Sequence, residues 1–309
     1  MQYQRLLYHA TAFFVSVVWG STFITTKLLL INGFTPAQIF VMRFAIAYLV
    51  LLIFSMRNGM RLYAASWKDE LTMAAMGVTG GSLYFLAENG AMNHTTTTNT
   101  ALIVCLCPLI ASILISFFYK SQRPSRTQIA GSLLAFAGVA VVEVNGCFVL
   151  KLSPVGDSLA FVACLSWAFY SLLMTSANVK YDALFITRRV FFWGVVSMIP
   201  YFIVHPSLNA HLFLERPRLL WNLIYLGWVA STLGFLCWNW TMKKLGVMTT
   251  TNYVYLNPVV TIVFAWYILS EPITFYFILG TIFILVGLYF CNSRPSLALT
   301  KRGERVHAQ

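Results

Sequence analysis

Acidic residues are scarce in this chain of 309 residues, which has only 9 Asp and Glu against 21 Lys and Arg. Charged residues of both signs make up 10% of the sequence, whereas about a quarter is usual in a soluble domain. Hydrophobic residues reach 59%. This composition excludes an ordinary soluble enzyme and is typical of a protein embedded in a lipid bilayer.

The sequence also lacks the motifs that bring a metal, a nucleotide or a cofactor. It has no CxxC, and its six cysteines lie mostly in apolar runs, where a free thiol behaves as a small hydrophobe. It has no HExxH, no clustered aspartates and no GxxxxGK[ST]. We therefore expect no metal, no cofactor and no catalytic residue. An intramembrane enzyme is the weaker alternative, because a serine and histidine pair is not excluded by sequence.

Ten apolar runs are each long enough for a membrane helix of about 20 residues. They cover residues 9–31, 36–56, 70–90, 95–118, 127–145, 155–178, 184–205, 218–240, 247–268 and 273–291. The first run follows Arg5 without an obvious small-x-small cleavage site, which favours a retained span over a signal peptide. The sequence thus predicts an all-α integral membrane protein with ten transmembrane helices.

The basic residues divide unequally when the connecting segments are assigned to alternate sides of a membrane. Only Lys151, Arg216 and Arg218 lie in segments opposite the N-terminus, and four more lie within spans. The other fourteen lie on the N-terminal side: Arg5, Arg57, Arg61, Lys68, Lys120, Arg123, Arg126, Lys180, Lys243, Lys244, Arg294, Lys301, Arg302 and Arg305. Because Lys and Arg accumulate in cytoplasmic loops, both termini are predicted to be cytoplasmic. The net charge of +12 then reflects topology, and no nucleic-acid partner is expected.

The sequence repeats itself at an offset of about 150 residues. Residues 83–92 (LYFLAENGAM) align with residues 233–242 (LGFLCWNWTM), with five identities in ten positions. A repeat of five spans is odd in number, so its second copy enters the membrane from the opposite side. We predict two inverted halves, residues 1–149 and 150–292, followed by a basic cytoplasmic tail at 293–309.

The chain resembles the EamA domain of the drug/metabolite transporter superfamily. The similar residues are Trp19-Gly-Ser-Thr-Phe23, Met42-Arg43-Phe44, Leu256-Asn-Pro-Val259 and Glu271-Pro272. Two such domains in tandem cover roughly residues 9 to 291. The resemblance implies ten helices, an inverted-repeat fold and export of small metabolites, commonly amino acids, across the bacterial inner membrane. The first copy departs at residues 121–124 (SQRP), which stand opposite residues 270–272 (SEP).

Glu88 is the first candidate for function, because it is the only acid well inside a predicted span. An ionisable side chain at that depth costs several kcal/mol unless it faces water or a partner. It could bind a substrate amine or act as a proton-coupling carboxylate. A third interpretation places it at the outer interface, simply solvated.

Further candidates come from the resemblance, which implies that the first, third, fourth, sixth, eighth and ninth helices wall a central cavity. An aromatic-rich cavity suits a substrate with an apolar or cationic flat body. The aromatic candidates are Trp19, Tyr84, Trp167, Tyr170, Trp238 and Tyr253. The amide candidates are Asn89, Asn99, Asn239 and Asn257.

A second group of residues is predicted to serve structure or gating. Arg43 and Arg189 are repeat mates, which favours a shared structural role, although a bond to a substrate carboxylate stays open. Pro108 and Pro258 lie inside the fourth and ninth spans, where they predict either a hinge or a static kink. Gly81 and Gly234 predict close helix packing, and the threonines at 249–251 are expected to cap a helix.

A channel is the other alternative function, but the sequence shows neither a filter motif nor a polar pore-lining stripe. We expect a secondary transporter that works by alternating access. Its expected partners are a small-molecule substrate and the lipid bilayer, with no obligate protein partner.

Overall fold

The computed structural model describes residues 2–95, 97–120, 123–144, 153–207, 211–269 and 273–292. Within these ranges the chain is helical and has no strand, so the predicted all-α class is confirmed. The motifs at residues 121–122 and 270–272 and the tail at 293–309 lie outside the described residues.

Sixteen α-helices occur in the described ranges, several of which join into longer rods. They are α1 (Gln2–Ile31), α2 (Pro36–Arg57), α3 (Trp67–Gly77), α4 (Leu83–His94), α5 (Thr97–Val104), α6 (Cys107–Phe118), α7 (Arg126–Val144), α8 (Pro154–Lys180), α9 (Ala183–Val196), α10 (Ile199–Val204), α11 (His211–Glu215), α12 (Pro217–Ile224), α13 (Gly234–Leu245), α14 (Val247–Thr251), α15 (Asn257–Leu269) and α16 (Phe275–Asn292).

Seven helices of the described chain are long and apolar enough to cross a membrane. They are Tyr3–Ile31, Pro36–Arg57, Thr100–Phe118, Pro154–Lys180, Ala183–Val204, Pro217–Leu245 and Phe275–Asn292. A shorter apolar helix, Arg126–Val142, corresponds to the fifth predicted span. The third and ninth predicted spans are also helical but do not meet the same criterion. The count of ten therefore stays a prediction.

The second span begins at a well-defined capping box. The Thr35 side chain accepts a hydrogen bond from the Gln38 amide at 3.2 Å, and the Gln38 side chain accepts one from the Thr35 amide at 2.9 Å. Pro36 occupies the first helical position, where its missing N–H costs nothing. This start fixes α2 along its axis and so fixes the depth of Arg43, two turns further in.

Three of the long rods change helical type partway. A π-helical segment, Val78–Ser82, joins α3 to α4, and another, Tyr225–Leu233, joins α12 to α13. A 3-10 segment, Asn252–Leu256, joins α14 to α15. The two π-helical segments overlap when the sequence is aligned on itself at the offset of 150 residues. Such segments often mark functional positions in a helix.

Two prolines predicted to lie inside spans, Pro108 and Pro258, lie at the starts of helices and do not kink continuous ones. Pro108 is the second residue of α6, and Pro258 is the second residue of α15. At this position a proline interrupts no intrahelical hydrogen bond. Each proline therefore marks a break within its span, and the residue before it, Cys107 or Asn257, is the first of the new helix.

The expected capping by threonine is wrong for Thr250 and Thr251. Their hydroxyls donate to the carbonyls of Gly246 and Val247, one turn earlier, at 3.0 and 2.7 Å. Both side chains thus satisfy backbone groups within α14. Gly246, at a φ of 92°, occupies the position before this helix, which leaves the threonines inside it.

Direct backbone contact joins α7 to α16. A Cβ atom on Gly138 would lie 2.7 Å from the Gly280 carbonyl oxygen, and one on Gly280 would lie 2.6 Å from that of Gly138. Gly131 and Gly287 approach each other in the same way, at 2.7 and 2.6 Å. Small residues at such a crossing allow membrane helices to pack closely.

We expect Gly138→Ala to lower the melting temperature of the detergent-solubilised chain, because the added methyl group must push the two backbones apart. Overpacking of this kind costs about 1–3 kcal/mol. Gly90→Ala is the matched control, since a Cβ atom there meets only Leu159, at 3.7 Å. Circular dichroism melting measures both variants, and equal melting temperatures would contradict the proposed backbone contact.

Candidate functional site

A central cavity lies between helices of both halves of the sequence. Water can occupy about 40 Å³ of it, which is room for about three molecules. Its lining residues are Trp19, Thr22, Phe23, Arg43, Tyr84, Phe85, Glu88, Val104, Cys107, Trp167, Phe235, Val254 and Asn257. They come from the six spans expected to wall a cavity and also from the second span, which contributes Arg43.

Glu88 lies in the cavity wall with its side chain almost fully buried, at 6% exposure. The Tyr84 hydroxyl donates a hydrogen bond to Glu88 Oε1 at 2.6 Å. The two residues are four apart on α4 and therefore share one helix face. The interpretation of Glu88 as a solvated interfacial residue is wrong, because the surrounding helices cover it.

Arg43 is also buried in the cavity wall, at 2% exposure. Its Nε donates a hydrogen bond to Ser231 Oγ at 2.9 Å, and its guanidinium lies 4.6 Å from the centre of the Phe85 ring. Ser231 belongs to the second π-helical segment. Arg43 thus links the two halves of the sequence and also faces the cavity, a position that suits both roles left open for it.

Arg43 and Glu88, both within the described residues, do not form an ion pair within 4.0 Å. Each is held instead by its own neighbour, Ser231 or Tyr84. Two buried opposite charges that do not neutralise each other directly are costly. Such an arrangement is typical of a site that receives a polar ligand.

Aromatic rings form much of the remaining wall. The Trp19 and Trp167 rings meet edge to face with centroids 5.7 Å apart, and the Tyr84 ring lies 5.1 Å from Trp167. Trp19 Nε1 donates to the Ala230 carbonyl at 3.0 Å. Trp167 Nε1 is buried and has no hydrogen-bond partner among the described residues. This donor is therefore left unsatisfied by the described part of the protein.

Five of the predicted cavity residues do not line this cavity: Asn89, Tyr170, Trp238, Asn239 and Tyr253. The Tyr170 hydroxyl donates to Asn239 Oδ1 at 2.7 Å, and Asn239 Nδ2 donates to Thr187 at 2.9 Å. Their polar groups are used to join helices within the core.

The other three predicted residues, Asn89, Trp238 and Tyr253, also lie away from the cavity lining. Trp238 and Asn89 are buried by packing, and the Trp238 ring lies 4.7 Å from that of Trp19. The Tyr253 hydroxyl bonds His9 Nδ1 at 2.8 Å and borders a separate groove. The side chain of Asn99 lies outside the described residues.

Several lining residues were not identified from the sequence, and the internal repeat could have found some of them. Phe85 and Phe235 are repeat mates in the aligned decapeptides, and both line the cavity. Cys107 is the repeat mate of Asn257 and also lines it. A search restricted to polar and aromatic candidates passes over such pairs, since cysteine and phenylalanine are common in apolar spans.

Arg189 takes a different position from its repeat mate. Its Nε donates to Glu70 Oε1 at 2.8 Å, and Trp193 Nε1 donates to the same oxygen at 2.6 Å. Glu70 Oε2 accepts from the Ala64 amide at 3.0 Å. Arg188 is fully buried and donates to the Arg61 carbonyl at 2.6 Å. These contacts join α9 to α3 and to the segment before it, which is a structural role.

A second ion pair lies close to the first. Lys180 Nζ lies 2.7 Å from Asp69 Oδ1, and the Tyr181 hydroxyl donates to Asp69 Oδ2 at 3.0 Å. The hydrogen bond from Lys180 lowers the pKa of the Asp69 carboxyl. The two ion pairs together connect residues 69–70 to α8 and α9.

Gly81 and Gly234 lie beside the cavity and permit close approach. A Cβ atom on Gly234 would lie 2.8 Å from Trp19 Nε1, and one on Gly81 would lie 3.2 Å from the Phe44 ring. Among the described residues, no group of three or more His, Cys, Asp or Glu side chains could hold a metal ion.

Comparison with known proteins gives one consistent result. Residues 6–144 and 154–293 each match the EamA-like transporter family. An uncharacterized transporter of Archaeoglobus fulgidus is 26% identical over 90% of this chain and 94% of its own length. The uncharacterized transporter YyaM of Bacillus subtilis is 27% identical over 88% of this chain and 89% of its own.

Two further similarities agree with the match to this family. A probable terminal-alkyne amino-acid exporter of Streptantibioticus cattleyicolor is 26% identical over 90% of this chain and 91% of its own. A solved crystal structure superimposes with a TM-score of 0.74 over 94% of this chain and 98% of the other, at 17% identity. The latter similarity supports the fold alone. With two segments of the family spanning nearly its whole length, the chain belongs to the EamA-like transporter family and is a multi-pass membrane transporter, not an enzyme.

Proposed function

We propose that the chain is a secondary transporter that exports small metabolites, such as amino acids or related compounds, by alternating access through the central cavity. The observation that carries this proposal is the cavity itself, where Glu88 and Arg43 are buried without pairing. A charged group in a membrane interior that faces a cavity is the usual mark of a substrate or ion pathway.

Both family segments contribute to the cavity wall, as alternating access requires. The first segment supplies Arg43 and Glu88, and the second supplies Trp167, Phe235 and Asn257. A site between two related halves can be opened to either side when one half rocks against the other.

Contacts between repeat mates support an inverted repeat. Gly131 and Gly138 align with Gly280 and Gly287, yet Gly131 contacts Gly287 and Gly138 contacts Gly280. This reciprocal pattern is what a two-fold axis produces. Trp19 also contacts its mate Trp167. We therefore keep the division into residues 1–149 and 150–292, followed by the tail.

The two charged residues of the cavity lie nearer to one predicted face of the membrane than to the other. Arg43 lies seven residues after Pro36 at the start of α2, and Glu88 lies six residues before His94 at the end of α4. Both are thus about 10 Å from helix ends that the charge pattern assigns to the outside. Because the space open to water is only about 40 Å³, its walls must separate to admit a metabolite.

Amino acids and related compounds are the substrate class that we favour. One relative is named a probable exporter of an amino acid, and the cavity offers a carboxylate, a guanidinium and aromatic faces together. These groups suit a small molecule that carries charge on an apolar body.

We expect Glu88→Gln to reduce export at least about tenfold without reducing expression, since it removes the buried carboxylate while nearly preserving its shape. Cells that express the chain are challenged with toxic amino acids, amino-acid analogues and cationic drugs, and flux of any protective compound is then measured in vesicles. Glu215→Gln, at an exposed position, is the matched control. Wild-type flux by the Glu88 variant, or resistance to none of the compounds, would contradict the proposal.

The ion pairs of residues 69–70 are expected to hold the cytoplasmic side closed, because they join the first family segment to the second. Glu70→Gln should therefore increase access to the cavity from that side severalfold. In a background that retains Cys107 as its single cysteine, the measurement is the rate of Cys107 modification by an impermeant thiol reagent in inside-out vesicles.

Asp182→Asn is the control for this experiment. Asp182 pairs with Lys243 at 3.0 Å, but both residues belong to the second segment. Its loss should leave the rate of Cys107 modification unchanged. Equal rates in the Glu70 variant and the wild type would rule out a gate at this position.

We expect both termini to face the cytoplasm of a bacterial inner membrane. Green fluorescent protein fused after residue 62 should fluoresce, because that loop carries the cationic cluster of Arg57 and Arg61. Alkaline phosphatase fused after residue 34 should be active, because the short loop at 32–35 lacks basic residues. Each reporter is tested at both sites, and the reverse pattern would overturn the orientation.

A further inference from the structure

We infer that the central cavity recognises a zwitterion at two separate poles, with a cationic nitrogen at Glu88 and an anionic carboxylate at Arg43. The inference deepens the proposed transport function and rests on it for its physiological meaning. It specifies which residues read which end of the substrate.

The Glu88 carboxylate has capacity for a further partner. Tyr84 donates to Oε1, and no other hydrogen bond to Glu88 occurs within the described chain. An ionised carboxylate can accept about four hydrogen bonds. Oε2 is thus available to an ammonium group, whose three donors form short charge-assisted bonds of this kind.

The Arg43 guanidinium likewise has donors to spare. Its Nε bonds Ser231, while the two terminal nitrogens make no hydrogen bond to any part of the protein that the structure describes. These two nitrogens carry four of the five donors of the group. A guanidinium edge of this kind binds a carboxylate with two parallel bonds.

The wall between the two poles fits the rest of such a molecule. The rings of Trp19, Tyr84 and Trp167 supply faces for an apolar body or for the cationic nitrogen.

The anchoring of each charge argues against a purely structural pair. Ser231 and Phe85 hold Arg43, and Tyr84 holds Glu88, so neither side chain is free to collapse onto the other. A structural ion pair in the same chain looks different, since Arg189 and Glu70 bond directly. The separation of Arg43 from Glu88 leaves each charge to a ligand.

Equilibrium binding to the purified full-length chain in detergent tests the inference with two sets of probes. Phenylalanine, 2-phenylethylamine and 3-phenylpropionate share one body and differ in the charged groups, as do leucine, isopentylamine and 4-methylpentanoate. We expect each amino acid to bind at least about tenfold more tightly than its amine or its acid, since each analogue leaves one buried charge without a partner.

Two variants assign the poles. Glu88→Gln should bring the affinity for phenylalanine close to that for 3-phenylpropionate, and Arg43→Gln should bring it close to that for 2-phenylethylamine. The melting temperature of each variant checks folding, and the wild-type series remains decisive even if Arg43→Gln does not fold.

The inference is overturned if the amines or the acids bind as tightly as the amino acids, or if none of the six probes binds. Flux of the same probes into vesicles is measured in parallel. Selective binding of the zwitterions without flux supports the two-pole site and contradicts the transport proposal. Flux of another compound without selective binding of the zwitterions would support the transport proposal and contradict the two-pole site.

Discussion

A guanidinium or a carboxylate taken out of water costs several kcal/mol even after relaxation, so a buried charge needs a partner. The chain meets this constraint in two ways. Arg189 and Glu70 satisfy each other through direct bonds, with Trp193 and the Ala64 amide completing the carboxylate. Arg43 is satisfied only through Nε. The contrast separates a contact that stabilises the fold from the site that we propose to bind substrate.

The same constraint applies to the backbone, because a bilayer offers no water to a carbonyl or amide that loses its helical partner. The chain places its helix interruptions where protein surrounds them. Ser231 lies in a π-helical segment and accepts the bond from Arg43, while Val254 and Asn257 flank the change from 3-10 to α-helix. The 3-10 segment thus contributes to the cavity wall, and the second π-helical segment holds Arg43, which lines it. Irregular backbone is usual where a membrane protein lines a site.

Much of the fold could be predicted from the sequence, because bilayer thickness and hydrophobicity determine where helices form. Seven of the ten apolar runs correspond to helices that could cross a membrane, and the repeat offset aligns the two π-helical segments. Glu88 could be identified as a candidate for the cavity, because an acidic side chain inside a membrane span is energetically costly unless it faces water or a partner. Which polar residues face the cavity could not be predicted, since Tyr170 and Asn239 have the same residue types as true lining residues. They differ from the lining residues in their hydrogen-bond partners, and those partners depend on how each helix is rotated and tilted against its neighbours.

Proline and threonine show a second limit of sequence patterns. Pro108 within an apolar run is compatible with a kink and with a new helix start, and only the preceding backbone decides between them. Thr250 has a hydroxyl suited to capping, but Gly246 precedes it and already begins the helix. Local composition specifies what a side chain can bond, while the element boundary determines what it does bond.

The ion pairs that join the two halves are distributed unequally, which the symmetry of the proposed repeat does not by itself predict. Two ion pairs join the first family segment to the second at residues 69–70. On the opposite side, Gln38 donates to the Ser207 carbonyl at 3.0 Å and Arg216 donates to Asn32 Oδ1, and neither of these links joins two opposite charges. If the two halves open as proposed, the ion pairs at residues 69–70 would favour closure on the side where they lie. Sequence divergence between the repeats would therefore determine which side of the proposed carrier is closed at rest, while the substrate gradient determines the direction of net transport.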